Sequence, residues 1–379
     1  MAMRSIVIGA GIIGTCTALR LAQSGVQVTL IEANLPGDGT TGTSFAWLNA
    51  GAKRLREYYE LNVAGMEAHR RLLAELPDAP WYVQTGNLEW RATPEAQERL
   101  FKQVERLQGI GYPAKLLTPA QVVKDLEPDL MIESSVEGIA YYPEESHIYP
   151  KLFLTHLLRA AQSLGVELHT RTKVVDFEMS GNQVSGVVLE SGTHLKADVV
   201  VCCAGRWTEK LLSQVGVYLP LISPEEPESE AIGLLVLTSE ICATVQRVVH
   251  APGVNIRPDG PSRLLLHSGK FDRQISLQTP LSPPPQTAEE VLSNARKFVR
   301  NLETARVESA IRAIRALPQD ELSVVGWTPG VEGLYVMVTH AGVTLAPALA
   351  EMAAREINGT PEKMLATFRP DRFQPQVSG

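Results

Sequence analysis

The chain of 379 residues is long enough for two or three domains, and its 44% hydrophobic and 20% charged residues are the proportions of a globular protein. Against 42 acidic residues it sets 35 basic ones, a formal charge of −7 that offers phosphate backbones no attraction and excludes nucleic acid as a partner. The four cysteines, Cys16, Cys202, Cys203 and Cys242, have neither metal-ligand nor C-x-x-C spacing, so a reducing compartment and no metal site are expected.

Met1 to Ser5 leads straight into an apolar run, Ser5–Ile8, so no cleavable signal is expected ahead of the fold. The run reads as a strand buried on both faces. Gly9-Ala10-Gly11-Ile12-Ile13-Gly14 follows, then a helical stretch with Leu19 and Leu21 on its apolar side and Gly25 beyond its end. Val26–Ile31 is a second strand ending at Glu32, which completes a β-α-β unit in about 30 residues. Gly37–Ser44 is a small-residue loop. Lys53–Leu76 is an amphipathic helix or helix pair, and Pro94–Gln108 is another helix. Residues 150–165 place Leu152, Phe153, Leu157, Leu158 and Ala161 on one helical face. Short strands are expected at Val166–Thr170, Val174–Met179 and Val184–Glu190, and a buried one at Ala197–Gly205.

From about 215 to 310 proline clusters in Pro220–Glu230 and Pro280–Pro285, while Gly233–Leu237 and Arg263–His267 read as strands and Pro258-Asp259-Gly260 as a turn. This is expected to be a β-rich domain inserted into the first. Near the C-terminus, Gly333–Val338 is a strand followed by Thr339–Pro347 and a helix reaching about Asn358, with Pro347 in its first turn. The uncharged stretch Gly333–Ala350 is interrupted by His340, Gly342 and Pro347, so no membrane span is expected and a cytoplasmic protein is.

The glycine motif carries the chemistry because of its setting. It follows a strand, opens a helix, and meets Glu32 at the end of the next strand, 23 positions after Gly9. Gly9 makes the tight turn, Gly11 lets a pyrophosphate approach the backbone, and Gly14 lets helix and strand pack closely. The helix N-terminus offers free N–H groups to phosphate. Glu32 can accept hydrogen bonds from ribose hydroxyls and would repel a 2′-phosphate. The motif alone leaves FAD and NAD both open.

Four blocks distinguish them. Ile6–Glu32, Thr43-Ser44-Phe45-Ala46-Trp47, Val200–Trp207 and Val336–Pro347 occur in the order and spacing of the D-amino acid oxidase-like FAD-dependent oxidoreductases, which include glycine oxidase and sarcosine oxidase. The chain resembles this family over about half its length. The resemblance implies an α/β protein with a discontinuous Rossmann-type FAD-binding domain (1–80, 148–215 and 315–370) and an inserted β-sheet-rich substrate domain (81–147 and 216–314). It implies cofactor contacts at Gly9, Gly11, Ile13, Gly14, Glu32 and Ala33. Thr43 and Ser44 would belong to the second phosphate and flavin loop, with Ala46, Trp47 and Leu48 along the isoalloxazine and Val174 beside the adenine. Ala204, Gly205 and Trp207 would let the cofactor approach, and Gly342, Val343, Thr344 and Leu345 would aim the last helix at the flavin pyrimidine.

The stretch Ile314–Gly326 resembles the family segment whose arginine binds a substrate carboxylate, here Arg315. It departs from the pattern at Ala313, Ala316, Glu321 and Ser323. The alternative for Arg315 is a brace, paired with Asp320 or with backbone carbonyls. His340, Lys53 and Asn49 are further candidates on the reacting side. His340 has the alternative of a neutral histidine bonded to backbone, and Lys53 that of a solvated lysine at a helix start. Trp47 could equally be a core residue, and His250, Arg257 and His267 could face the site from the inserted domain. The resemblance implies non-covalent FAD, hydride transfer from a small amine or amino acid to flavin N5, and O2 or another electron acceptor. The alternatives are a 2-hydroxy acid substrate, with a histidine as base, and an FAD-binding subunit whose flavin is structural.

Overall fold

The computed structural model describes residues 2–76 and 78–374. A six-stranded sheet forms the foundation, in the order Val324–Trp327, Leu334–Val338, Val199–Cys202, Arg4–Ile8, Gln27–Ile31, Glu167–His169. All its pairings are parallel except that of Val324–Trp327 with Leu334–Val338. The first strand is central, with Ile6 opposite both Val200 and Thr29, which is why Ile6–Ile8 is an unbroken apolar run buried on both faces. Helices Ile12–Gln23, Pro150–Ser163 and Gly342–Ile357 cover one face, where Leu19, Leu157, Leu349 and Ala353 are buried together. The other face packs Ile6, Ile8 and Val200 on the three-stranded sheet Val174–Ser180, Gln183–Leu189, His194–Lys196.

The second large sheet has eight strands, in the order Val307–Ile314, Ile232–Thr238, Leu264–His267, Val254–Pro258, Val248–Ala251, Asn87–Glu89, Ile139–Tyr142, Lys115–Leu117. Its outer face is covered by helix Gln286–Ala295, which buries Ala288, Val291, Leu292 and Ala295. Its inner face lays Leu235, Leu265 and Ala313 against Phe45. The sheet therefore sits over the loop that follows the glycine motif. A small sheet of Trp47–Leu48, Ser146–Ile148 and Tyr82–Val83 continues that loop.

Four sequence expectations change. Leu152 is 44% exposed and Leu154 is buried in its place, because the helix starts at Pro150 and its buried stripe runs through Phe153, Leu154, Leu157 and Ala161. Lys53–Leu76 resolves into the single helix Arg56–Glu75, so Lys53 precedes the helix rather than opening it. Helix Gln286–Ala295 follows the Pro280–Pro285 connection, in a stretch for which no helix was expected. Pro347 lies inside the last helix, at its sixth residue, not in its first turn.

Candidate functional site

A cavity of about 740 Å³ runs from the glycine loop to the N-terminus of the last helix. Gly9, Gly11 and Ile13 line one end, followed by Glu32, Ala33 and Val174. Gly9 has φ +100, and a Cβ there would stand 2.5 Å from the Cys203 carbonyl oxygen. Gly14 lies outside the cavity: its Cβ would meet the Gly9 carbonyl at 1.9 Å, so it permits the close packing of helix on strand. A Cβ at Gly11 would meet only the Thr41 hydroxyl, at 3.1 Å. Glu32 is already half used. Its carboxylate accepts the Ala10 and Asn34 backbone N–H groups, each at 2.9 Å, which staples the glycine loop to the second strand and leaves about two acceptor sites for ribose hydroxyls.

Ala204, Gly205, Trp207 and Ser44 form the side of the cavity, and Gly342, Val343 and His340 its far end. The last helix starts at Gly342 with no side-chain cap on Ala341, so its first amides and dipole face the cavity. Thr344 and Leu345 turn their side chains away. Thr344 Oγ1 accepts the Asn49 N–H at 3.4 Å, and Leu345 is fully buried. Pro347 cannot donate to the Val343 carbonyl, and His69 Nε2 takes that place at 2.8 Å. Burial lowers the His69 pKa to about 4 despite this bond, so the ring is a neutral donor at this carbonyl.

The loop residues divide. Thr43 bonds locally to the Thr40 carbonyl, while Ser44 Oγ accepts the N–H of Ala46, whose φ is +58. Ala46 and Leu48 are buried beside the cavity rather than along it. The Trp47 indole donates to Glu145 at 2.9 Å and packs against His250 with ring centroids 4.3 Å apart and tilted by 53°. Glu145 also receives Tyr112 Oη at 2.7 Å and Asn87 Nδ2 at 3.2 Å. Thr40 and Thr41 line the cavity instead of Thr43. Thr41 Oγ1 accepts the Ile12 N–H at 3.2 Å, and Thr40 Oγ1 donates to the Ile314 carbonyl at 2.7 Å. The small-residue loop signalled this segment, but the single turn Thr40–Thr43 chooses which threonine faces inward.

Of the four candidates on the reacting side, His340 lines the cavity. Its surface opens to the cavity, yet the enclosing walls together with Arg315, Lys53 and His267 hold its pKa at about 4. Lys53 stands 5.2 Å over the Tyr58 ring, and burial lowers its pKa against the pull of Glu145. Asn49 is buried, with no partner for its side-chain oxygen. Arg315 differs from expectation. Nη1 donates to the Glu230 and Ile232 carbonyls at 2.6 and 2.9 Å, and Nη2 donates to Asp272 at 2.7 Å. The guanidinium is thus braced, but by Asp272; Asp320 pairs with Arg372. Gly233 makes the room, since a Cβ there would lie 2.8 Å from Arg315 Nη2.

From Asp272 a hydrogen-bonded row crosses the inner face of the sheet. His267 Nε2 donates to Asp272 at 3.0 Å, Asn255 Nδ2 donates to His267 Nδ1 at 3.0 Å, and His250 Nδ1 donates to Asn255 Oδ1 at 2.7 Å. Each link fixes the tautomer of the next. An amide cannot pass a proton as a water can, so the row orients its members rather than conducting. Arg257 is held by the Pro258 carbonyl and Asp259 and takes no part. Asp272 and Glu145 carried no sequence signal. The first sits in a four-residue helix and the second in a turn, and only tertiary register gives them partners. Among the described residues no group of three or more His, Cys, Asp or Glu could hold a metal ion, and no helix is long and apolar enough to cross a membrane.

The family model DAO, FAD dependent oxidoreductase, matches residues 4–356. Glycine oxidase of Geobacillus kaustophilus (strain HTA426) is 25% identical over 362 residues, covering 92% of this chain and 91% of its own. The 4-methylaminobutanoate oxidase (formaldehyde-forming) of Paenarthrobacter nicotinovorans is 27% identical over 378 residues, 95% of this chain and 44% of its own. The L-proline dehydrogenase from P. horikoshii superposes with a TM-score of 0.85 at 22% identity, covering 98% of each chain, a likeness of fold.

Proposed function

The chain belongs to the DAO family of FAD-dependent oxidoreductases, and from that premise we propose that it oxidises the C–N bond of a small amine or amino acid, giving an imine that hydrolyses. The relatives that act on glycine and on a methylamino acid support this substrate class. The observation that supports the choice of an amine is that the enclosing walls, together with the nearby cations Arg315 and Lys53, lower the pKa of His340, the one histidine among the described residues lining the cavity. A 2-hydroxy acid must give its hydroxyl proton to a base as its α-hydrogen leaves, and so weak a base is poorly matched to that task near neutral pH. A neutral amine brings its own lone pair and asks the protein for orientation and a dry pocket.

The residues present fit FAD. Two helix N-termini open on one cavity, the first with its Ile12 N–H held by Thr41 and the last with no side-chain cap, Gly11 leaves clearance for a pyrophosphate, and Glu32 retains acceptor capacity. On this reading the glycine loop and the Ile13 amide would hold the diphosphate, Glu32 the ribose and Val174 the adenine, while the amides of Gly342 and Val343 would stabilise negative charge on the pyrimidine side. Thr344 and Leu345 would act through backbone alone. Attachment is non-covalent. Bound FAD supplies the two-electron acceptor for hydride leaving the substrate's α-carbon. Leu235, Leu265 and Phe45 exclude water there, and O2 or another acceptor takes the electrons afterwards. The strand memberships of the two large sheets support dividing the chain into an FAD part (1–80, 148–215, 315–370) and a cap (81–147, 216–314).

Anaerobic titration of the purified flavoprotein with glycine, N-methylglycine, proline and lactate tests this. Bleaching by an amine and not by lactate is the expected result. Bleaching by lactate alone overturns the choice of substrate, and a flavin that none of a broad amine panel reduces points to a structural cofactor.

A further inference from the structure

A second cavity, of about 260 Å³, opens where the turn after Ala251 leaves the eight-stranded sheet, between Arg91, Asn255, Ser268 and Lys270. Its charges are unbalanced. Arg91 is paired with Glu89, but among the described residues Lys270 has no carboxylate within ion-pair reach, and its ammonium stands 5.1 Å over the Phe271 ring. Ser268 is 2% exposed and its hydroxyl has no hydrogen-bond partner, a bond that burial makes costly to leave unmade. The nearby acids, Glu89 and Asp272, are each committed to an arginine.

Asn255 belongs to this cavity and also to the oriented row that ends at Asp272 and Arg315. Arg315 lies over Gly233, two strands across from Asn255. Through His267, Asn255 is in register with Leu235, two residues from Gly233, so at about 4.8 Å per strand and about 3.3 Å per residue the cavity is about 12 Å from the guanidinium, along the hydrogen-bonded row beneath the cap. We propose that this cavity is an anion subsite that receives a second carboxylate of the substrate, distal to the amine, so that dicarboxylic amines are the preferred class. The inference rests on the reading of amine oxidation given above. Lys270 supplies the uncompensated charge, Ser268 a buried donor, and Arg91 a guanidinium half-neutralised by Glu89. A monocarboxylic amine would leave all three to water.

The test uses the holoenzyme and two probes of one length, glutarate and pentanoate, titrated by flavin absorbance in wild type, Lys270→Gln and Ser268→Ala. Glutarate should bind wild type about tenfold more tightly than pentanoate, and Lys270→Gln, removing an exposed ammonium, should bring that ratio to about two, a roughly fivefold loss at the upper end of the worth of one solvent-exposed ion pair. Steady-state kcat/KM for N-(2-carboxyethyl)glycine over N-propylglycine should fall in parallel. Equal binding of the two probes to wild type, or a Lys270→Gln loss of the same factor for both, overturns the subsite. A glutarate preference in a protein whose flavin no amine bleaches keeps the subsite and removes the amine reading; bleaching without the preference does the reverse.

Discussion

The glycine end of the main cavity and the polar row beneath the cap are built from different material. The end at Gly9–Gly14 is made of backbone: two glycines with no room for a Cβ, a helix N-terminus, and a carboxylate tied to two main-chain N–H groups. The row beneath the cap, outside that cavity's own lining, is made of side chains from separate elements, Arg315, Asp272, His267, Asn255 and His250, each oriented by the next. Backbone sites tolerate almost no added volume and are indifferent to most charge changes. Side-chain sites behave the opposite way, because their cost lies in unpaired polar groups.

The largest effect should come from the first kind. Gly14→Val places carbon 1.9 Å from the Gly9 carbonyl, where neither partner is a flexible side chain. Loss of bound flavin, read from the ratio of absorbance at 280 nm to that at 450 nm, should be complete, or the protein should fail to fold. Gly11→Ala meets only the end of the Thr41 side chain and should keep the fold by circular dichroism while weakening the cofactor. If Gly14→Val retained its flavin, the contrast between the two regions would collapse.

In the row beneath the cap, Arg315→Leu leaves Asp272, 7% exposed, with a buried charge and one fewer donor, a loss of about 3–5 kcal/mol. Asp272→Asn should cost less, because the amide can still accept a hydrogen bond. The double variant separates brace from clamp. A coupling energy of about 1–3 kcal/mol in urea unfolding, with equal loss of activity on amines bearing and lacking a carboxylate, identifies a brace. Loss confined to carboxylated amines would restore the clamp that the resemblance implies.

The same contrast explains what could be read from the sequence. The β-α-β unit, Glu32 and the last helix were legible because glycine spacing and helical period are local properties. The row beneath the cap was not. His250, Asn255 and His267 come from three strands whose pairing, His250 with Asn255 and Asn255 with His267, exists only once the sheet has its register. Arg315 was found by its family segment; of the two braces open to it the backbone carbonyls are present and Asp320 is not, and Asp272, distant in sequence and without a motif, could not be read. Pro347 read as a helix start because nothing in the sequence announces that His69, 278 positions earlier, supplies a donor to the carbonyl it leaves free.

The smallest effect concerns Glu145, behind Trp47. Burial, offset by bonds from Tyr112, Trp47 and Asn87 and reinforced by Glu89, lifts its pKa from the ordinary value near 4.5 to about 8. A carboxyl whose folded pKa is raised binds more protons folded than unfolded, so its contribution to stability is complete below about pH 4.5 and is lost as pH rises through about 8. Lys53, the facing cation, is lowered by burial and acts in a window at higher pH, gaining stability as pH rises toward its ordinary value. Wild type should therefore lose melting temperature between pH 5 and pH 8 relative to Glu145→Gln, by on the order of 5 °C for a chain of this size. Glutamine keeps an acceptor for the Trp47 indole, so the flavin spectrum should change little while the pH slope flattens. Melting curves of the two proteins at pH 5, 6.5 and 8 decide the matter. Parallel slopes would show that Glu145 does not titrate in this range; Lys53→Met removes a contribution of the opposite sign and should not flatten the loss.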